Sequence, residues 1–274
     1  MYCYFNGKII QKNKTGLPID DIGILRGYAC FDFLRTYNGK IFLFNEHWQK
    51  IKKGAKFLGL NLPFTPEGLK QIIQKLMQRN KLSEASIRIV FSGGRTMNSL
   101  KFNSQKPTVF ILIDKPHKYS PNYYQKGVKL KTYNFKRQHP AIKITNYFEA
   151  VRLINRFPYK NYHDILYYWG NKILEASTAN FFLIKKGELF TPLKDVYLGT
   201  TRNLVLKLAK RYFPTREQNI YLSDLKKAEE AFITSTPRGI MPVTKVDNQK
   251  IGSGKVGKKT KYLMDIFKKF TQNY

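Results

Sequence analysis

No stretch of this chain stays apolar for long. The longest runs, such as Phe110 to Ile113, end after a few residues at a polar or turn-forming side chain. A membrane-spanning helix needs about 20 apolar residues in succession, so these runs predict short buried strands alternating with amphipathic helices. The length of 274 residues, 42% of them hydrophobic and 15% aromatic, is ample for a packed core in one large domain or two modest ones. The start, Met1-Tyr2-Cys3-Tyr4-Phe5, has no basic segment followed by an apolar one, so no secretory leader is read. Two cysteines, Cys3 and Cys30, make no disulfide framework and point to a reducing, cytoplasmic compartment.

Charge is the most lopsided property: 49 Lys+Arg against 18 Asp+Glu, a net +31. Such an excess attracts polyanions. The basic residues are nevertheless spread along the whole chain and are mostly Lys, whereas Arg is the residue of bidentate phosphate and guanine contacts. No zinc-finger spacing, aromatic RNA-binding strand or helix-turn-helix signature appears, so no nucleic-acid partner is expected. A solvated Lys-rich surface accounts for the charge.

Turn signals divide the chain further. Strands are expected at Tyr2 to Phe5, Phe31 to Tyr37 and Ile41 to Leu43, with Asn38-Gly39 as the hairpin between the last two. Asn45 to Leu58 places Trp48, Ile51, Ala55 and Leu58 on one helical face, and a second helix follows Thr65-Pro66. Ser86 to Phe91 and Thr108 to Ile113 read as buried strands around the loop Ser92-Gly93-Gly94-Arg95. Residues 118–122 have linker composition, which divides an α+β chain into a small N-terminal domain over 1–117 and a larger one over 123–274. Beyond the linker, helices are expected at Lys143 to Arg156, from Gly199 to about Tyr212, and at Lys255 to Thr271 with Tyr262, Leu263, Ile266 and Phe270 inward. Strands are expected at Asp164 to Tyr168, Asn180 to Ile184 and Ala231 to Ser235.

Generic motifs fail. Gly252 to Lys259 nearly spells a phosphate-binding loop, but Lys259 stands where Ser or Thr is required. His47, His117, His139 and His163 have no ligand spacing, so no metal site is expected. Four other segments supply complementary chemistry. Lys143 lies among apolar neighbours in Ala141 to Tyr147, where desolvation favours a nucleophilic amine. Glu175 precedes the small residues Ala176-Ser177-Thr178-Ala179, Thr200-Thr201 begin a helix whose free N–H groups suit an anion, and Ser235-Thr236 end a strand with hydroxyls. One amine, one acid and two anion-binding turns are what pyridoxal 5′-phosphate requires. Each part has a plainer reading too: Thr200 and Thr201 as helix caps, Ser235 and Thr236 as turn formers, Tyr147 and Phe31 as core aromatics.

In this order and spacing the segments resemble the class IV (fold type IV) aminotransferases, a family that includes branched-chain and D-amino-acid transaminases and aminodeoxychorismate lyase. Asp21-Ile22-Gly23 through Gly39 resembles the family's opening strand, Glu46-His47 the opening of its first helix, and Ala231 to Val243 its closing strands. The resemblance implies a two-domain fold type IV homodimer with the site between small and large domains, and a transaminase exchanging amino groups between an amino acid and a 2-oxo acid. Lys143 becomes the Schiff-base lysine and proton shuttle, and Glu175 the partner of the pyridine nitrogen. Tyr147 is a partner for the phenolic oxygen, and Thr200, Thr201, Ser235 and Thr236 are phosphate ligands. Lys50 stands where the family usually has Arg, supplying charge without the bidentate fork.

Substrate preference is read from differences. The D-amino-acid transaminase Arg-x-His pair is replaced by Asn98 and Leu100, and the branched-chain Tyr-x-Arg by Ser86-Ile87-Arg88. Arg26 and Arg88 as a carboxylate clamp, with Phe31 lining the pocket, lean the reading toward D-amino acids; Arg26 serves equally as a surface charge. Branched-chain L-amino acids and elimination of pyruvate from aminodeoxychorismate are the enzymatic alternatives. A basic polyanion-binding protein on a degenerate scaffold is the non-enzymatic one.

Overall fold

The chain opens with a hairpin in which β1 (Tyr2–Phe5) and β2 (Lys8–Gln11) flank Asn6 and Gly7 at φ 40° and 89°. The computed structural model describes residues 1–274. They form two units: Met1–His117 with Ile142–Asn146 and Tyr274, and Lys118–Ala141 with Tyr147–Asn273. No helix is long and apolar enough to cross a membrane.

In the first unit, α1 (Ile22–Arg26) starts where the Asp21 carboxylate accepts from the Gly23 N–H at 2.7 Å. An opening strand expected around Asp21 to Gly23 is therefore a helical turn, because that carboxylate satisfies helix N–H groups. β3 (Ala29–Tyr37) passes through Asn38 and Gly39 at φ 51° and 72° into β4 (Lys40–Ile41), the left-handed pair that a two-residue hairpin needs. α2 (Phe44–Phe57) and α3 (Pro66–Arg79) follow, the latter capped by Thr65, then β5 (Ser86–Ser92) and β6 (Thr108–Asp114). The sheet order is β2-β1-β6-β5-β3-β4. Alternation along β3 sends Cys30, Asp32 and Leu34 inward, where Leu34 joins Ile51 and Ala55 of α2 and Leu69, Ile73 and Leu76 of α3 in one core. Phe31, Phe33 and Arg35 take the other face.

The second unit begins with α4 (Pro121–Gln125), so two residues of the expected linker are helical. β7 (Val128–Asn134), α5 (Phe148–Ile154), β8 (Asp164–Trp169), β9 (Lys172–Ala176), β10 (Ala179–Lys185) and β11 (Glu188–Thr191) come next. They are followed by α6 (Thr200–Ala209), β12 (Thr215–Glu217), β13 (Ile220–Tyr221), β14 (Glu230–Ser235), β15 (Gly239–Val246), β16 (Gln249–Lys250) and α7 (Lys258–Gln272). The order is β12-β11-β10-β14-β15-β7-β8-β9-β13, and a further pairing of β9 with β10 closes six strands into a ring around Leu130, Leu166, Phe181, Ile233 and Met241. Near-continuous burial along β10 reflects cover on both its faces. On α7 the buried residues are Thr260, Leu263, Phe267 and Thr271. Tyr262 and Phe270, expected inward, are 44% and 37% exposed; the Tyr262 ring instead meets Tyr212 edge-on at 5.2 Å.

Candidate active site

Lys143 lies in the short segment Ile142–Asn146, which belongs to the first unit although the chain before and after that segment belongs to the second. Ile142 and Ile144 enter the first unit's core. The Phe31 N–H donates to the Lys143 carbonyl at 2.9 Å and the Thr145 N–H to the Ala29 carbonyl at 3.0 Å, so this short segment pairs antiparallel with the edge of β3. Opposed residues of antiparallel strands share a face. Ile144 therefore follows Cys30 inward, and Lys143 goes with Phe31, its Nζ 4.6 Å from the Phe31 ring centroid. The helix expected from Lys143 begins only at Phe148, because the Ile142/Ile144 alternation has the period of a strand and finds a strand edge to pair with.

On the opposite face of β3 lies a pair the sequence did not single out. Asp32 Oδ2 and His47 Nδ1 are 2.7 Å apart, with the residues 3% and 2% exposed. Burial alone pushes the Asp32 carboxyl up. The charges of His47 and Lys143, and hydrogen bonds from His47 and the Phe33 N–H, outweigh it and hold the carboxyl below its ordinary range. Half-buried Lys50 stands one helical turn beyond His47 on α2. The two arginines of the expected clamp share no partner. Arg26 is exposed at the end of α1 and donates to the Leu25 carbonyl at 2.8 Å. Arg88 is opposite Phe33 in the β3–β5 register, 5.8 Å from its ring, and so on the Lys143 face.

The second unit holds the remaining residues. Glu175, Asn180 and Thr234 stand abreast on β9, β10 and β14. Two strand spacings separate Glu175 from Thr234, about 10 Å. Glu175 is 5% exposed, and both its oxygens are engaged. Oε1 accepts from Arg137 Nε at 2.8 Å and Nη2 at 2.6 Å, and Oε2 accepts from the Tyr197 N–H at 3.0 Å. Burial opposes the Arg137 charge, but Glu175, with the phenols of Tyr147 and Tyr167, holds its guanidinium above the usual arginine range. Arg137 carries no sequence signal, standing beside Lys136 in an ordinary basic stretch. Tyr147, immediately before α5, is one of its neighbours.

The N-cap of α6 is Gly199, without a side-chain cap, so Thr200 and Thr201 are not caps but the first helical residues. Their N–H groups have no intrahelical carbonyl to reach. Asn180 positions this end: its Oδ1 accepts from the Gly199 N–H at 3.2 Å and its Nδ2 donates to the Tyr197 carbonyl at 2.5 Å. Thr200 Oγ1, Thr234 Oγ1 and Ser235 Oγ are buried with no protein partner, and Thr236 follows in the turn after β14. Orphaned hydroxyls beside free helix N–H groups fit a phosphate, and a buried carboxylate in the same row of strands fits a protonated ring nitrogen. No cluster of His, Cys, Asp or Glu is arranged to hold a metal ion.

The sequence profile described as "Amino-transferase class IV" matches residues 29–246. The chain belongs to this family. The aminotransferase is 31% identical over 98% of its length to the "Putative branched-chain-amino-acid aminotransferase" of Methanocaldococcus jannaschii, covering 96% of that protein. It is 28% identical over 99% of its length to the "D-alanine aminotransferase" of Staphylococcus aureus strain N315, covering 98% of it. Its fold matches the Escherichia coli branched-chain amino acid aminotransferase at a TM-score of 0.92 and 24% identity, over 99% of this chain and 95% of that one. The fold is thus that of the fold type IV aminotransferases, and the cofactor of the family, pyridoxal 5′-phosphate, meets residues that fit it.

Proposed function

We propose that this aminotransferase moves the amino group of an α-amino acid of D configuration to a 2-oxo acid such as 2-oxoglutarate in a ping-pong cycle. The observation that carries the reading is Lys143, whose amine is presented beside Phe31 on the same sheet face as Arg88, its backbone fixed by two hydrogen bonds to β3. Bound pyridoxal 5′-phosphate supplies an aldehyde for amino-group exchange and a ring that accepts the electron pair left at the substrate Cα. With the cofactor bound, the Lys143 amine would be the base that takes up and returns the proton at the substrate Cα. Glu175, its carboxylate pinned by Arg137 and the Tyr197 N–H, keeps a proton on the ring nitrogen. Tyr147 contacts the phenolic oxygen. The N–H groups of Thr200 and Thr201, the hydroxyls of Ser235 and Thr236, and the Lys50 charge hold the phosphate.

Arg88 takes the substrate carboxylate against Phe31. Arg26, exposed on α1, reaches the partner's site in a homodimer. Two buried free cysteines suit the cytoplasmic setting of this reading. A branched-chain L-amino acid is the second reading, favoured by Phe33 and Val90, which extend the apolar face around Phe31. A panel of D- and L-donors with 2-oxoglutarate tests both, read as 2-oxo acid released and as conversion to the pyridoxamine form. Turnover restricted to L-donors overturns the first reading. Pyruvate formed from aminodeoxychorismate without an acceptor replaces both readings with a lyase. A Lys143→Ala variant that keeps activity and borohydride-sensitive absorbance overturns the assignment of the lysine.

A further inference from the structure

Two turns of the second unit, distant in sequence, are joined by one ion pair whose carboxylate is buried and whose guanidinium is half-buried. The first, Ser177-Thr178, leaves β9 two residues after Glu175; the second, Thr236-Pro237-Arg238, leaves β14 directly after Ser235. Asp164, 2% exposed at the start of β8, lies where they meet. Its Oδ1 accepts from Ser177 Oγ at 2.5 Å and from the Ile165 N–H at 2.8 Å. Its Oδ2 accepts from Thr178 Oγ1 at 3.1 Å and is 3.3 Å from Arg238 Nη2. Arg238 Nη1 in turn donates to Thr178 Oγ1 at 2.8 Å, so the threonine hydroxyl accepts from the arginine and donates to the aspartate. Behind the turn, the Arg238 carbonyl accepts from Tyr124 Oη at 2.9 Å, and the guanidinium lies 5.8 Å from the centre of the Tyr119 ring.

The strand ladder fixes how far apart Glu175, Asn180 and Thr234 stand, but it ends where these turns begin. A buried ion pair adds little net stability compared with apolar residues of the same size, whereas its directional bonds specify one arrangement of the backbones it joins. We propose that Arg238 and Asp164 are a positioning pair that holds the Ser235-Thr236 turn at a set reach from Glu175, so that ring nitrogen and phosphate are gripped together. The proposal rests on the cofactor roles given above for Glu175, Ser235 and Thr236. Neither member of the pair is among the residues assigned to the cofactor. Its effect falls on the phosphate end, because Glu175 is held separately by Arg137 and Tyr197.

The test titrates the apo full-length protein with pyridoxal 5′-phosphate and, separately, with pyridoxal, which lacks the phosphate, and follows the melting temperature of each apo variant. Loss of a hydrogen bond to a charged group predicts that Arg238→Gln and Asp164→Asn each weaken pyridoxal 5′-phosphate binding roughly tenfold. Pyridoxal binding stays within about twofold, and the double variant is no weaker than either single one, as expected for one shared interaction. Arg238→Lys, which keeps the charge, retains most of the affinity. An unchanged pyridoxal 5′-phosphate affinity in a folded Arg238→Gln variant overturns the proposal. Equal losses for the two ligands, tracking a lowered melting temperature, overturn it in favour of a purely structural pair. A wild-type protein that binds neither ligand removes the cofactor roles themselves, a failure that the wild-type titration alone identifies.

Discussion

Replacing His47 with Leu strands a buried carboxylate. In the wild type, Asp32 Oδ2 is 2.7 Å from His47 Nδ1 and both residues are almost wholly buried. Removing one partner of such a pair costs about 3–5 kcal/mol. Lys143 still attracts the same carboxylate and the Phe33 N–H still donates to it at 2.9 Å, so the lower end, about 3 kcal/mol, applies. At about 2–4 °C per kcal/mol for a chain of this size, the melting temperature falls by about 6–12 °C. The pH dependence supplies a sharper check. The wild-type Asp32 carboxyl is held below its ordinary range, so its contribution to stability is present above the unfolded value of about 4 and is lost only as pH falls through the lowered folded value. Without His47, burial dominates and the carboxyl titrates higher. The penalty is then full at neutral pH and shrinks as acid neutralises Asp32. Melting curves for wild type and His47→Leu at pH 7.5 and pH 5 should therefore converge at the lower pH, and Asp32→Asn combined with His47→Leu should recover much of the loss. A gap below about 2 °C, or one equal at both pH values, refutes the reasoning.

Other perturbations address the cofactor end and the core. A Cβ on Gly199 collides with Asn180 Oδ1, which must then release the start of α6; Gly199→Ala should weaken pyridoxal 5′-phosphate binding about tenfold, and an unchanged titration contradicts the placement of the phosphate there. Lys50→Arg adds the fork that the lysine lacks and should tighten cofactor binding severalfold, whereas a loss of affinity means that Lys50 does not face the phosphate. Cys3 and Cys30 are 2% and 1% exposed, and burial pushes the Cys30 thiol up to about 12, so both thiols stay protonated and covered at pH 8. A disulfide exchange reagent should titrate neither in the native protein and both in denaturant; rapid native labelling of Cys30 contradicts its place between β3 and Gly54 of α2.

Sequence spacing alone singled out Lys143, Glu175, Thr200, Thr201, Ser235 and Thr236, because an amine, an acid and two anion-binding turns in this order have few other uses. It also anticipated local elements whose signals are short-range: the Asn38-Gly39 hairpin, the Thr65 cap, and the helices after Leu43 and Gly199. What it misread depends on neighbours. Ile142 to Thr145 pairs with β3 rather than joining a helix, and α7 turns Phe267 rather than Phe270 inward, since the surface it packs on selects among similar apolar faces.

By itself, then, the sequence carried the resemblance from which the family and its cofactor follow, and it nominated Lys143 and Glu175 as the amine and acid to look for. Tertiary structure alone decided what surrounds them. Arg137 on Glu175, His47 on Asp32, and Arg238 on Asp164 are partners 38, 15 and 74 residues apart that strand pairing and helix packing bring within a hydrogen bond. A charged side chain announces no partner in sequence. Only burial, which makes an unpaired charge costly, requires one, and burial is a property of the folded chain.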